Sequence, residues 1–122
     1  MQRVLAEFRK RGVRLDTLAA IELFGGTGEI ETAIYAPYVK SLEIWEISPT
    51  YSSRLHRRFP SARIKITDSY HEIRTTTDRF GFIVADSPPT IHGEHCEHFD
   101  LFPDIFRIMD LPVILILNVI PH

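Results

Sequence analysis

Apolar and polar residues fall along the chain in short blocks whose period switches repeatedly between that of a strand and that of a helix. Residues 2–11 place Val4, Leu5 and Phe8 at helical spacing, with Arg3, Arg9, Lys10 and Arg11 elsewhere on the turn, which predicts a surface helix. The run LAAIELF at 18–24 closes on Gly25-Gly26-Thr27-Gly28 and predicts a buried strand entering a glycine loop. Residues 29–38 carry Ile30, Ala33, Ile34 and Tyr35 on one side, a helix that Pro37 ends. SLEIWEI at 41–47 predicts a second strand, and Ser48-Pro49 opens a helix over 50–59, where proline suits the first turn. RIKIT at 63–67 alternates with period two; a short helix or turn at 68–73 and a loop at 75–78 follow. FGFIVA at 80–85 is a buried strand that stops at Asp86-Ser87-Pro88-Pro89. A helix is predicted over 99–109, with Pro103 in its first turn, and VILILNV at 113–119 is the last and most apolar strand.

Strands that alternate with helices build parallel βαβ units rather than hairpins. Right-handed crossovers between the strands give an open, doubly wound α/β sheet, mainly parallel. The nearly continuous apolar strands at 18–24, 80–85 and 113–119 fit a sheet covered on both faces; an α+β arrangement is the rival. A length of 122 residues, 44% hydrophobic and 25% charged, suits one folded domain over 1–122. Fourteen Lys+Arg against 16 Asp+Glu give a formal charge of −2, which excludes a strongly basic, histone-like binder but leaves room for a local basic face. The single cysteine, Cys96, excludes an intramolecular disulfide framework and suits a reducing compartment. The N-terminus has no signal-like apolar stretch and no run approaches a membrane span, so the expectation is a cytoplasmic protein without a membrane partner.

The glycine loop is the first candidate for chemistry. Glycines between a strand and a helix let backbone approach a ligand, at the end of the sheet where open α/β folds bind them; a plain tight turn is the alternative. Counting G-x-G-x-x-G from Gly26 puts Glu31 where a dinucleotide fingerprint needs a small residue. Glu29 and Glu31 would also stand near a pyrophosphate at a helix start that favours anions, so NAD and phosphate ligands are disfavoured and a cationic ligand fits better. Glu46 ends the next strand, where a carboxylate can accept both hydroxyls of a ribose, or is simply an exposed strand-end glutamate. Ile47 beside it can pack on an adenine face. Asp68, next to Ser69 at the end of the third strand, can take an exocyclic amine or cap the following turn.

These segments resemble the class I, Rossmann-like S-adenosylmethionine-dependent methyltransferases. The resemblance rests on IELFGGTGEI at 21–30, WEISP at 45–49, ITD at 66–68 and FIVADSPP at 82–89, in the family's order. It implies strand order 3-2-1-4-5 and S-adenosylmethionine as cofactor. Phe24, Gly25, Gly26 and Gly28 would border it, Glu46 and Ile47 hold its ribose and adenine, and Asp68 with Ser69 address the base. Asp86-Ser87-Pro88-Pro89 is similar to the [DNS]-P-P-[aromatic] motif of amino-methyltransferases acting on DNA or RNA. There two prolines remove amide donors and leave rigid carbonyls to orient a primary amine, so Asp86, Ser87, Pro88 and Pro89 are the candidate catalytic residues. The implied activity is methyl transfer to an amino nitrogen, with nucleic acid as a partner. Thr90 stands where the motif has an aromatic that stacks an extruded base. The alternative is therefore a methyltransferase-like binding module or partner subunit without catalysis.

Other clusters are weighed and set aside. His92, His95, Cys96 and His98 with Asp100 lack the paired halves of a structural zinc site, and no metal is expected. The basic sets Arg3/Arg9/Lys10/Arg11/Arg14 and Arg54/Arg57/Arg58/Arg63/Lys65 are solvated faces or a path for a nucleic-acid backbone. The sequence stops right after its most apolar strand, where the family continues with a helix and two strands. The expectation is a sheet lacking the usual C-terminal strands, its last strand covered by a second copy of the chain or a partner protein through Val113, Leu115 and Leu117 or through Ile114 and Ile116.

Overall fold

A computed structural model describes residues 1–86 and 99–117. Its centre is a five-stranded sheet, order β3-β2-β1-β4-β5, built from β1 (Ala19–Glu22), β2 (Ser41–Glu46), β3 (Arg63–Ile66), β4 (Phe80–Ala85) and β5 (Met109–Leu117). Every neighbouring pair is parallel. The helices are α1 (Gln2–Lys10), α2 (Glu31–Tyr35), α3 (Ser52–Arg58), α4 (Ser69–Thr75) and α5 (Phe102–Arg107). The doubly wound architecture and strand order follow the expectation.

Strand alternation sorts the side chains into two layers. Ile21 of β1 and Leu23 just beyond it, Trp45 of β2 and Ile83 and Ala85 of β4 face α4 and α5, where Ile73, Leu101, Ile105 and Ile108 close over them. Ala20, Phe82 and Val84 face the other way, against Leu5 of α1 and Tyr35 of α2. Ile44 meets Leu55 of α3 and Phe59 on that same side. The sheet is thus covered on both faces. Polar Glu43 tolerates burial on β2 because the Trp45 indole N–H donates to it at 3.0 Å and Arg63 lies 3.3 Å away.

Several boundaries move for physical reasons. The second helix begins at Glu31 instead of residue 29, because the turn out of the glycine loop runs on through Ile30, whose φ of −98° and ψ of −89° are not helical. The last strand begins at Met109, ahead of Pro112. It lies at the sheet edge, where a proline sacrifices no ladder hydrogen bond on its open side. Its pairing with β4 is irregular between Phe80 and Phe82, which sends Phe80 to the α4/α5 layer and Phe82 to the other. Pro49 and Pro103 each occupy a first helical turn, as their positions predict. No helix among the described residues is long and apolar enough to cross a membrane.

Candidate functional site

The carboxyl ends of β1, β2 and β4 meet at the glycine loop. After Glu22 the chain leaves β1 in two steps: the Leu23 N–H still donates to the Val84 carbonyl (3.0 Å), then the Gly25 N–H turns to the Trp45 carbonyl of β2 (2.9 Å). Each glycine has a separate reason. Gly25 is wedged against β2, since a Cβ there would lie 2.4 Å from Ile44 Cγ2. Gly28 backs onto α3, its hypothetical Cβ 2.4 Å from the Phe59 ring, and its φ is positive. Gly26 has φ +56° with open space where a Cβ would stand, so its bare edge faces the cleft.

Glu46 is tied to this loop. One carboxylate oxygen accepts from the Gly26 N–H at 2.9 Å and the other from the Ser48 N–H at 2.5 Å, which leaves the side chain only 8% exposed at the end of β2. Far from an ordinary exposed strand-end glutamate, it is a fixed acceptor with lone pairs to spare. Ile47, next along, is 67% exposed, an apolar face at the lip of the cleft. At the end of β3, Asp68 caps α4: its Oδ1 accepts from the Tyr70 N–H at 3.0 Å. Ser69 is buried and its hydroxyl donates to the Leu23 carbonyl, which pins the start of α4 to the end of β1. Phe24 stands over that junction, its ring 5.9 Å from Tyr70.

A cavity of about 190 Å³ opens beside the loop, lined by Gly26, Gly28, Glu29, Glu31, Glu22 and Asp86 among others. Sequence reasoning missed Glu22. It is 2% exposed and accepts from the Tyr35 hydroxyl at 2.7 Å and the Thr32 hydroxyl at 3.3 Å. Burial, with Asp86 nearby, pushes its carboxyl up from 4.5 to about 8, against the pull of the two hydroxyls. Tyr35 is itself held well above its ordinary value by burial and by Glu22, so it stays a donor. The available signal was a charge inside an apolar run, since LAAIELF has no reason to carry Glu22 unless it is partnered or used.

Asp86, at the end of β4, is half-buried, and burial raises its carboxyl above the ordinary range. The structure thus brings Asp86 to the cavity that holds Gly26 and Gly28, with Glu46 bonded to Gly26 alongside. Ser87, Pro88 and Pro89, Thr90 and the cluster of His92, His95, Cys96 and His98 lie outside the described residues. A small cavity walled by carboxylates, two of them reluctant to ionise, gains electrostatically from a cation and repels a pyrophosphate. It is also smaller than the roughly 300 Å³ and upward of a complete small-molecule site, so it suits one end of a longer ligand whose remainder would run toward Glu46 and Ile47.

No family model and no curated relative matches the chain by sequence. Solved structures do match. An rRNA methylase from Streptococcus thermophilus superimposes with TM-score 0.69 at 10% identity, covering 96% of this chain and 70% of its own. A candidate methyltransferase from Streptococcus mutans, solved in complex with SAH, gives TM-score 0.70 at 10% identity over 96% and 71%. The candidate methyltransferase yhhF from Escherichia coli gives TM-score 0.62 at 18% identity over 84% of this chain, which spans 59% of that protein's length. The shared feature is the fold: the five-stranded parallel sheet in order 3-2-1-4-5 is that of Rossmann-like methyltransferases.

Proposed function

We propose that the chain binds S-adenosylmethionine and transfers its methyl group to an amino nitrogen on a DNA or RNA base. The observation that carries this reading is the acid-walled cavity beside Gly26, with the fixed acceptor Glu46 one hydrogen bond away. Its charge suits a ligand that carries ammonium and sulfonium groups, and the bond from Gly26 to Glu46 sets a ribose acceptor beside it. Glu22 and Asp86 face the cationic end. Gly25, Gly26, Gly28 and Phe24 form the floor, Glu46 takes the ribose hydroxyls, and Ile47 packs on the adenine. The cap bond of Asp68 uses one carboxylate oxygen, so the other is left for the exocyclic amine, while Ser69 positions Asp68 from behind. A bound sulfonium supplies an electrophilic methyl group. The protein's part is to orient the acceptor: Asp86, with Ser87 and the carbonyls before Pro88 and Pro89, accepts the hydrogens of a primary amine and turns its lone pair toward the methyl carbon. With the donor bound, that lone pair would receive the methyl group, the sulfonium would be left as a neutral thioether, and the amine would release a proton to solvent. Neighbours of known fold that are described as acting on RNA support the nucleic-acid part of the reading.

Calorimetric titration with S-adenosylmethionine and S-adenosylhomocysteine tests this directly. Binding that Glu46→Ala abolishes is the expected result, and absence of binding to the wild-type chain would remove the reading. The second reading, a binding module without catalysis, is favoured by Thr90 at the stacking position of the motif. A methyl-transfer assay on unmethylated RNA and DNA separates the two. On either reading we propose that a second copy or a partner covers β5. Among the described residues β5 pairs with β4 alone, and Val113–Leu117 are only half-buried along that open edge. Light scattering should show an assembly that Ile116→Lys dissociates; a monomer at working concentration would refute self-association.

A further inference from the structure

We infer that the exposed face of α3 carrying Arg54, Arg57 and Arg58 binds the phosphodiester backbone of the nucleic acid, an inference that rests on the reading of the substrate given above. The three residues stand at i, i+3 and i+4, hence on one side of the helix, and their side chains line a common concavity of about 270 Å³. All three are exposed. From residue 47 to residue 67 the chain contains Arg54, Arg57, Arg58, Arg63 and Lys65 and no Asp or Glu, in a protein whose net charge is −2.

Five of the basic side chains elsewhere are neutralised by carboxylates. Arg11 pairs with Glu7 at 2.8 Å, Arg14 with Asp16 at 3.0 Å, Arg63 with Glu43 and Asp78, Lys65 with Glu72, and Arg74 with Asp104. Arg9 of α1 lies over the Tyr38 ring. Among the described residues, Arg58 alone on α3 has a carboxylate partner, Glu29 at 3.3 Å. Support of the helix itself does not account for the set. Arg57 and Arg58 complement the negative end of the helix dipole, but Arg54 sits in the first turn, where a cation opposes it and where no acidic residue and no side-chain cap compensate. A polyanion laid across the face supplies the missing charge.

The location is right for a substrate backbone. Glu29, the partner of Arg58, lines the glycine-loop cavity, and Gly28 of the loop backs directly onto Leu55 and Phe59 of the same region. A strand held by Arg54 and Arg57 therefore lies one side chain away from the cleft. Acid in the cleft and base beside it let one surface hold a cationic donor and a polyanionic acceptor without either occupying the other's place.

The test is fluorescence anisotropy of a short labelled single-stranded RNA, and of DNA of the same sequence, across a salt series. The double variant Arg54→Gln/Arg57→Gln should weaken binding of both about tenfold or more and lower the slope of log K against log salt by about 1.4, two single-strand contacts at about 0.7 each. The same charge change on α1, Arg3→Gln/Lys10→Gln, should alter the affinity less than about twofold. Calorimetry with S-adenosylhomocysteine should find the cleft of both variants unchanged. Equal losses from the two pairs, no loss from the α3 pair, or a loss confined to RNA or to DNA would each overturn the inference while leaving the nucleic-acid reading in place. A wild-type chain that binds neither strand at about 50 mM salt would instead remove that reading, and this one with it.

Discussion

The glycine-loop cleft and the flank formed by α3 meet through the packing of Gly28 on Leu55 and Phe59 and through the ion pair of Arg58 with Glu29, yet they treat charge in opposite ways. In the cleft two acids are sunk into the protein and held by specific partners: Glu22 by Tyr35 and Thr32, Glu46 by two backbone amides. On the flank the bases stand in water, and Arg54 and Arg57 have no carboxylate within reach among the described residues. A buried acid responds to pH, because ionising it means giving up solvation; an exposed base responds to salt, because its interactions are long-ranged and screened. The two regions should therefore fail under different stresses.

The largest expected effect lies in the cleft. Glu22 moves from 4.5 to about 8 on burial, so the folded chain keeps this proton after the unfolded chain has lost it. Its contribution is complete below pH 4.5 and is lost as pH rises through about 8, a change on the order of 3–5 kcal/mol if Glu22 acts alone. Urea midpoints at pH 5 and pH 8 should show the wild-type chain losing stability over that interval and Glu22→Gln losing much less. Identical slopes would mean that Glu22 is already ionised at pH 5. A cationic ligand stabilises the ionised form, so S-adenosylmethionine, which carries the sulfonium charge, should bind more tightly toward pH 8, and Glu22→Gln should flatten that trend as well.

Within the cleft the glycines divide the same way, between packing and access. Gly25→Ala forces a Cβ to 2.4 Å from Ile44 Cγ2 in the core and should cost about 1–3 kcal/mol of stability. Gly26→Ala meets nothing within 4 Å and carries only the strain of φ +56°, about 1 kcal/mol. The second variant should stay folded at ordinary temperature and lose ligand affinity; the first should lose thermal stability foremost. The reverse order would exchange the roles assigned to the two residues. Asp68→Ala falls next, at about 1 kcal/mol for the lost cap on α4, read as a lower melting temperature.

These contrasts also explain what could be read from the sequence. The parallel sheet was legible because each strand is a short apolar block between helical ones, whereas its strand order came from the methyltransferase resemblance and not from the pattern. Glu46 was legible by its place at a strand end, but its hold on Gly26 and Ser48 was not, since those amides become available only when the loop folds back on β2. Asp68 had two readings, cap and ligand; the structure shows the first and leaves an oxygen for the second. Glu22 escaped notice because its two partners, Thr32 and Tyr35, are ten and thirteen residues away and converge only when α2 packs on β1. Start positions of α2 and β5 were misjudged for local reasons, a turn that runs on through the non-helical Ile30 in one case and an edge that tolerates Pro112 in the other.

The smallest effect should come from the contact that joins the two regions. The Arg58 and Glu29 side chains are 41% and 52% exposed and 3.3 Å apart. At such exposure water screens most of the attraction, and immobilising two long side chains offsets part of what remains, so the pair contributes at most about 0.5 kcal/mol. Arg58→Gln should accordingly shift the urea midpoint by little, and about 1 M salt should shrink the difference between variant and wild-type chain further, because it screens this pair along with the other surface pairs. If Arg58→Gln instead destabilised the fold as strongly as Gly25→Ala, the flank would be part of the scaffold of the glycine loop. Arg58 would then be serving Glu29 and the loop, and the division between a buried acidic cleft and a free basic face would hold for Arg54 and Arg57 alone.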